Sequence, residues 1–119
     1  MQGARTERVA QVVREAVTEA LAYGAVKDPR VAQNGLITVT HVLVSGDLRH
    51  AKVYVVVHDG DVASAVNGLG SAAGFLRRQV AERLRARAVP ELRFYADEGF
   101  DRAQNIERLL AEVAVEKKE

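Results

Sequence analysis

The sequence contains no cysteine, only two prolines, and no long apolar run. The absence of cysteine excludes disulfide bonds, thiolate metal sites and cysteine nucleophiles, and it fits a reducing compartment such as the cytoplasm. No apolar run approaches the roughly 20 residues that a membrane-spanning helix needs, so no membrane partner is expected. The residues that follow Met1 include no apolar stretch after their first basic residue, so we also expect no signal peptide.

Composition is that of one globular domain. The chain has 119 residues, of which 48% are hydrophobic and 28% are charged. The formal net charge is only +1, but the charge is unevenly distributed. Residues 71–95 carry six arginines against two glutamates, a local net of +4, whereas residues 96–119 carry seven acidic and four basic residues, a net of −3. A basic block before an acidic tail can form an anion-binding face in a nearly neutral protein.

Hydrophobic spacing predicts a helix followed by a hairpin. Apolar residues recur at helical spacing over residues 6–23, with Thr6 as the N-cap and Gly24 as a left-handed terminator. Residues 27–35 are interpreted as a connecting loop. Residues 36–45 and 50–58 are rich in β-branched residues and are predicted to pair as antiparallel strands. A change in apolar parity between Val39 and Val42 indicates a β-bulge in the first strand.

The second half of the chain predicts two consecutive helices and a third strand. The helices are expected over residues 62–69 and 71–86, and the strand over residues 92–95. The resulting order, αββααβ, indicates an α+β fold with a three-stranded sheet and helices packed on one face. Residues after 98 again show apolar positions at helical spacing.

Enzyme motifs are not found. His58, Asp59 and Asp61 could be interpreted as a metal cluster, but neighbouring strand residues point to opposite faces and a turn explains the aspartates. No serine lies in a Gly-x-Ser-x-Gly elbow, and the glycines of residues 68–74 match neither a P-loop nor a dinucleotide-binding motif. We therefore expect no catalytic residue, no metal and no cofactor.

Glycines lie where the two consecutive helices meet. Such a junction permits a close approach of the backbone to a ligand, and the second helix offers free amides to a phosphate. KH domains place a GXXG loop at this point, where it clamps the nucleic-acid backbone. GXXG does not occur here, and the junction instead reads Ala72-Ala73-Gly74.

The sequence resembles the ribosome-binding factor A family over most of residues 5–110. The matching stretches, in order, are Val26-Lys27-Asp28-Pro29-Arg30, Leu36-Ile37-Thr38-Val39-Thr40, Ser45-Gly46-Asp47-Leu48, Ala51-Lys52-Val53-Tyr54-Val55, Ala73-Gly74-Phe75-Leu76-Arg77 and Arg87-Ala88-Val89-Pro90-Glu91-Leu92-Arg93-Phe94, followed by Asp97. Gly68 and Gly70 depart from the pattern, as do residues 100–105.

The resemblance implies a KH-like (type II) domain over residues 5–97, in which an Ala-x-Gly kink replaces GXXG. A C-terminal helical, partly flexible acidic tail is expected over residues 98–119. The resemblance further implies a cytoplasmic ribosome assembly factor that binds the small (30S) ribosomal subunit and its 16S rRNA during late maturation and pre-rRNA end processing. Family members are linked to growth in the cold. We expect a monomer that shares its particle with an assembly GTPase.

Cations near the junction are the candidate RNA contacts, because an arginine fork can chelate phosphate oxygens. The predicted RNA-binding residues are Ala72, Ala73, Gly74, Arg77, Arg78, Arg85, Lys52 and Arg49. Lys52, Tyr54, Arg93 and Tyr95 are also predicted to share an open sheet face, where tyrosines could stack on bases or pack across strands. The alternative function is a protein-only interaction module without RNA contact.

Overall fold

The computed structural model describes residues 3–86, 88–99 and 110, and it contains helices and strands in the predicted order with one addition. The elements are α1 (Ala4–Ala22), α2 (Pro29–Ala32), β1 (Leu36–Val44), β2 (His50–His58), α3 (Val62–Ser71), α4 (Ala73–Leu84) and β3 (Glu91–Ala96). The α+β prediction with two helices between the second and third strands is confirmed.

The first helix begins earlier than predicted. Gly3 is the N-cap, and Thr6 lies buried inside the first turn, where its hydroxyl donates to the Gly3 carbonyl oxygen at 2.7 Å. The prediction of Thr6 as N-cap is therefore wrong, since this hydroxyl bonds backward to a carbonyl and does not accept from an amide. The predicted terminator is confirmed, because Gly24 has a φ of +64°.

A short helix replaces part of the predicted loop. Pro29 occupies the first turn of α2, where its missing amide hydrogen costs nothing. The Asp28 side chain caps the helix by accepting from the Arg30 amide at 3.0 Å. The prediction of a loop over residues 27–35 is thus wrong for Pro29–Ala32, because the proline that suggested a break instead begins a helix.

The three strands form one sheet in the order β1-β2-β3, with β1 and β2 antiparallel and β2 and β3 parallel. The register shifts between Val39 and His41, which confirms the predicted bulge. One face of the sheet joins α1, α3 and α4 in a single core that includes Val53, Val55 and Phe94. Residues of the opposite face, such as Lys52 and Tyr95, are exposed and point away from that core.

The consecutive helices differ from their predicted bounds. Helix α3 runs two residues further than expected, and α4 begins at Ala73 and ends at Leu84. Arg85, predicted to be helical, instead adopts a left-handed conformation with φ 52°. The predicted tail over residues 98–119 lies outside the described residues, apart from Glu98, Gly99 and Leu110.

Candidate nucleic-acid interface

The junction between α3 and α4 is a kink at a single residue. Ala72 has φ −91° and ψ 3°, and it both ends α3 and begins α4. Its amide donates to the carbonyl oxygens of Gly68 and Leu69 at 3.1 and 3.0 Å. No side chain caps the first turn of α4. Gly74, which lies in this turn, is exposed.

Gly74 leaves the kink open to a ligand. A Cβ atom placed on Gly74 would meet only the Arg78 Nη1 atom, at 3.9 Å. The Arg78 guanidinium thus lies one helical turn from Gly74 and beside the uncapped end of α4, on an exposed side chain. Backbone amides next to a guanidinium form a suitable arrangement for a phosphate oxygen.

The loop before α2 packs against the same kink. Lys27 and Asp28 line a shallow depression together with Ser71, Ala72 and Phe75. The Arg30 Nη2 atom donates to the Ser71 hydroxyl at 2.9 Å. Two stretches that are more than 40 residues apart in sequence therefore form one surface.

Arg30 is held by its neighbour Asp28. Its guanidinium donates to the Asp28 carboxylate at 3.0 and 2.7 Å. These hydrogen bonds, together with the one from the Arg30 amide, lower the pKa of Asp28 to about 2. The ion pair orients the Arg30 side chain toward Ser71 at the end of α3. Arg30 therefore joins α2 to the kink and is not counted among the phosphate ligands.

Lys27 was missed as a candidate by the sequence interpretation. Its side chain is exposed beside the kink. In the sequence, however, Lys27 is more than 40 residues before the basic block of residues 71–95. The Asp28-Pro29 pair is typical of a helix N-terminus and indicates an ordered turn at Lys27, but it does not indicate that this turn lies beside the kink.

The predicted arginines do not form one cluster. Arg77 donates from Nε and Nη2 to the Val89 carbonyl oxygen at 3.3 and 2.8 Å. It borders a shallow pocket of about 390 Å³ with Arg49 and His50, at the hairpin turn. Arg85 follows α4 and lies eleven residues after Gly74, roughly 16 Å along the helix.

Lys52 belongs to a third location. It lies on the open face of the sheet, with Nζ 6.0 Å from the centroid of the Tyr95 ring. The predicted set therefore separates into Ala72, Ala73, Gly74 and Arg78 at the kink, Arg49 and Arg77 at the hairpin pocket, the isolated Arg85, and Lys52 on the open face. With the addition of Lys27, the residues at the kink (Lys27, Ala72, Ala73, Gly74 and Arg78) are called the kink surface. The predicted sharing of the open face by Lys52, Tyr54, Arg93 and Tyr95 is confirmed, because these side chains are opposite one another in register.

The described part of the chain contains neither a metal cluster nor a membrane span. Residues 3–86, 88–99 and 110 contain no group of three or more side chains suited to hold a metal ion. No helix within that same part is long and apolar enough to cross a membrane.

Comparison with known proteins identifies the family. The family model described as ribosome-binding factor A matches residues 5–110. The chain belongs to the ribosome-binding factor A family. Ribosome-binding factor A of Geobacter metallireducens is 41% identical over 114 residues, which cover 94% of this chain and 93% of that protein.

Solved structures of ribosome-binding factor A share the fold. The crystal structure of ribosome-binding factor A from Thermus thermophilus superimposes with a TM-score of 0.61 at 27% identity, covering 76% of this chain and 94% of that chain. A Thermus thermophilus ribosome-binding factor A homology model, fitted into a cryo-EM map of a 30S complex, gives a TM-score of 0.54 at 31% identity, with 71% and 90% covered. The predicted KH-like fold is thereby confirmed.

Proposed function

We propose that the protein binds the small ribosomal subunit and contacts its 16S rRNA through phosphate groups at the kink surface, without performing chemistry. The observation that carries the proposal is the uncapped first turn of α4, flanked by the exposed cations Lys27 and Arg78 and left open at Gly74. Backbone amides and guanidinium groups are general phosphate ligands. The Thermus relative that was fitted into a 30S complex supports the choice of particle.

The proposal includes a place in assembly. By family membership we infer action in the cytoplasm, late in subunit maturation and while the ends of the precursor rRNA are processed, with a contribution to growth in the cold. A phosphate-binding surface suits a structured rRNA site, because double-stranded RNA is recognised mostly by its shape and by contacts to its phosphates and 2′-hydroxyl groups. A monomer that shares its particle with an assembly GTPase completes the proposal.

Co-sedimentation with small subunits over a salt series tests the phosphate contacts. We expect Lys27→Ala and Arg78→Ala each to weaken binding and to reduce the log–log salt slope by about 0.7 to 0.9, the value for one phosphate contact. Arg8→Ala is the matched control, because Arg8 is an exposed cation on α1 that does not line the depression at the kink. Binding that responds neither to salt nor to the two kink variants would reject the phosphate contacts in favour of a protein-only interface.

A further inference from the structure

Three rings form a row across the open face of the sheet. His41 on β1, Tyr54 on β2 and Tyr95 on β3 are opposite one another in register. The His41 and Tyr54 ring centroids are 6.1 Å apart, and those of Tyr54 and Tyr95 are 5.6 Å apart with an interplanar angle of 30°. Tyr95 is 36% exposed and His41 is also exposed, so both ends of the row present ring surface to solvent.

Two cations lie beside this row. Lys52 and Arg93 are paired in register two residues before Tyr54 and Tyr95, which places them roughly 7 Å along the strands. Leu43 lies opposite Lys52 and is 38% exposed. The surface therefore combines ring planes with an adjacent line of positive charge.

Carboxylates border this surface on both sides. The Glu91 carboxylate lies 4.0 Å from His50 Nδ1 and 4.0 Å from Arg93 Nη2, and Glu91 precedes Arg93 by two residues on β3. After β3, the Asp97 carboxylate accepts a hydrogen bond from the Thr40 hydroxyl at 2.5 Å. An anionic ligand is therefore directed to the line of Lys52 and Arg93, between the two carboxylates.

We propose that the open face is a second RNA site, which stacks unpaired bases on the row of His41, Tyr54 and Tyr95 and holds their phosphates at Lys52 and Arg93. The site rests on the proposed function, because it supplies a further contact to the same rRNA. Successive bases stack on exposed rings while nearby cations follow the backbone, and this combination is general for single-stranded nucleic acid. Duplex RNA, whose bases are already stacked, cannot use the rings.

The choice of occupant follows from the pairing of rings with charge. Residues 96–119 are acidic and could also be attracted by Lys52 and Arg93. That segment contains one aromatic residue, Phe100, so it offers no series of flat groups to a row of three rings. Each nucleotide of a single strand carries both a flat base and a phosphate, and thus matches the two parallel rows.

Fluorescence polarisation of a dye-labelled eight-nucleotide oligouridylate tests the site with the full chain. We expect Tyr95→Ala to weaken binding by about 5- to 150-fold, the loss of one stacked base, and Tyr95→Phe to retain most of the affinity. Tyr23→Ala is the matched control, because Tyr23 is 80% exposed after the end of α1 and away from the sheet face. The same oligonucleotide annealed to its complement should bind without dependence on Tyr95.

Equal binding by wild type and Tyr95→Ala, or no single-strand binding by wild type, would overturn this site. If wild type then still pellets with small subunits through Arg78, the proposed function stands without the open face.

A benzophenone amino acid placed at Leu43 identifies the occupant on immature subunits. An RNA adduct supports the proposal, whereas adducts with residues 100–119 or with a ribosomal protein overturn it.

Discussion

The side-chain amide of Asn34 joins two loops that are distant in sequence. Its Nδ2 atom donates to the carbonyl oxygens of Arg30 and Asp61, both at 2.8 Å. Its Oδ1 atom accepts from the amides of Gly35 and Asp61 at 2.8 and 2.9 Å. All the hydrogen-bonding positions of one amide are used, so the end of α2 is fixed against the start of α3. The kink surface depends on this placement, because α2 carries Arg30 to the end of α3.

The carboxylate of Asp28 makes the stability of the folded protein depend on pH in the acid range. Its hydrogen bonds with Arg30 lower its pKa from 3.8 to about 2 in the folded protein. A depressed folded pKa contributes stability above pH 3.8, and this contribution is lost as the pH falls through about 2. We therefore expect Asp28→Asn, which keeps a capping side chain, to flatten the decline in urea midpoint between roughly pH 4 and 2.

Chemical denaturation followed by circular dichroism at several pH values measures this effect. Asp59→Asn is the control, since Asp59 is an exposed carboxylate with a φ of 58°, a conformation that asparagine also adopts. An Asp28→Asn variant with the same acid decline as wild type would show that the ion pair with Arg30 contributes nothing to folding.

Which arginine is available to a ligand could not be predicted from residue type. Arg77 and Arg78 are adjacent and both exposed, yet Arg77 donates to the Val89 carbonyl oxygen while Arg78 lies against Gly74. The difference depends on where the chain passes after α4, and no local pattern encodes that path. Lys27 was missed for the same reason, because its neighbour Ala72 is 45 residues away in sequence.

At the scale of elements, the spacing of apolar residues predicted the strands and the long helices, and it missed the short helix α2. Strand β2 was predicted with its observed bounds, since its alternation extends along its full length. The bulge in β1 was visible as a change of parity between Val39 and Val42. Helix α2 was missed because its four residues are too few to show a helical period, and its proline favoured a break.

Gly68 and Gly70 of α3 look equivalent in sequence but differ in packing. A Cβ atom on Gly68 would lie 2.8 Å from Val31 Cγ2 and 3.0 Å from Arg30 Cβ, whereas one on Gly70 would meet nothing within 4 Å. Gly68 therefore permits the close contact of α3 with α2. We expect Gly68→Ala to lower the free energy of unfolding by about 1–3 kcal/mol through overpacking. Gly70→Ala should raise it by about 0.5–1 kcal/mol through helix propensity.

Urea denaturation of the two variants, analysed with a common slope, provides the comparison. Each variant serves as the control for the other, because both make the same chemical change two residues apart in one helix. Equal shifts in the same direction would show that the contact between α2 and α3 does not determine the requirement for glycine at position 68.

At the scale of the whole molecule, cations occupy separate surfaces around one small core. The kink surface lies at the junction of the helices, and Lys52 and Arg93 lie on the sheet face that those helices leave uncovered. Strand alternation correctly placed Lys52 on the open face of the sheet. The sequence interpretation also grouped Lys52 with the arginines, because charge along the chain does not show that this face is separate from the helix junction. Family membership, in contrast, was predictable, since ordered motifs do not depend on the path of the chain.

Two surfaces of different chemistry predict different responses to salt on the same particle. The log–log salt slope of binding to small subunits should fall by about 0.7 to 0.9 in Arg78→Ala, because that variant removes one phosphate contact and its released counterion. Tyr95→Ala should weaken binding by a similar factor at every salt concentration, with the slope unchanged, because stacking releases no counterion. The double variant should show the product of the two single losses, since Arg78 and Tyr95 lie on different surfaces and share no partner.

Titration of labelled protein with small subunits over a salt series measures all three quantities. A changed slope in Tyr95→Ala would mean that the ring acts by positioning Lys52, whose ammonium lies 6.0 Å from it, and that bases do not stack there.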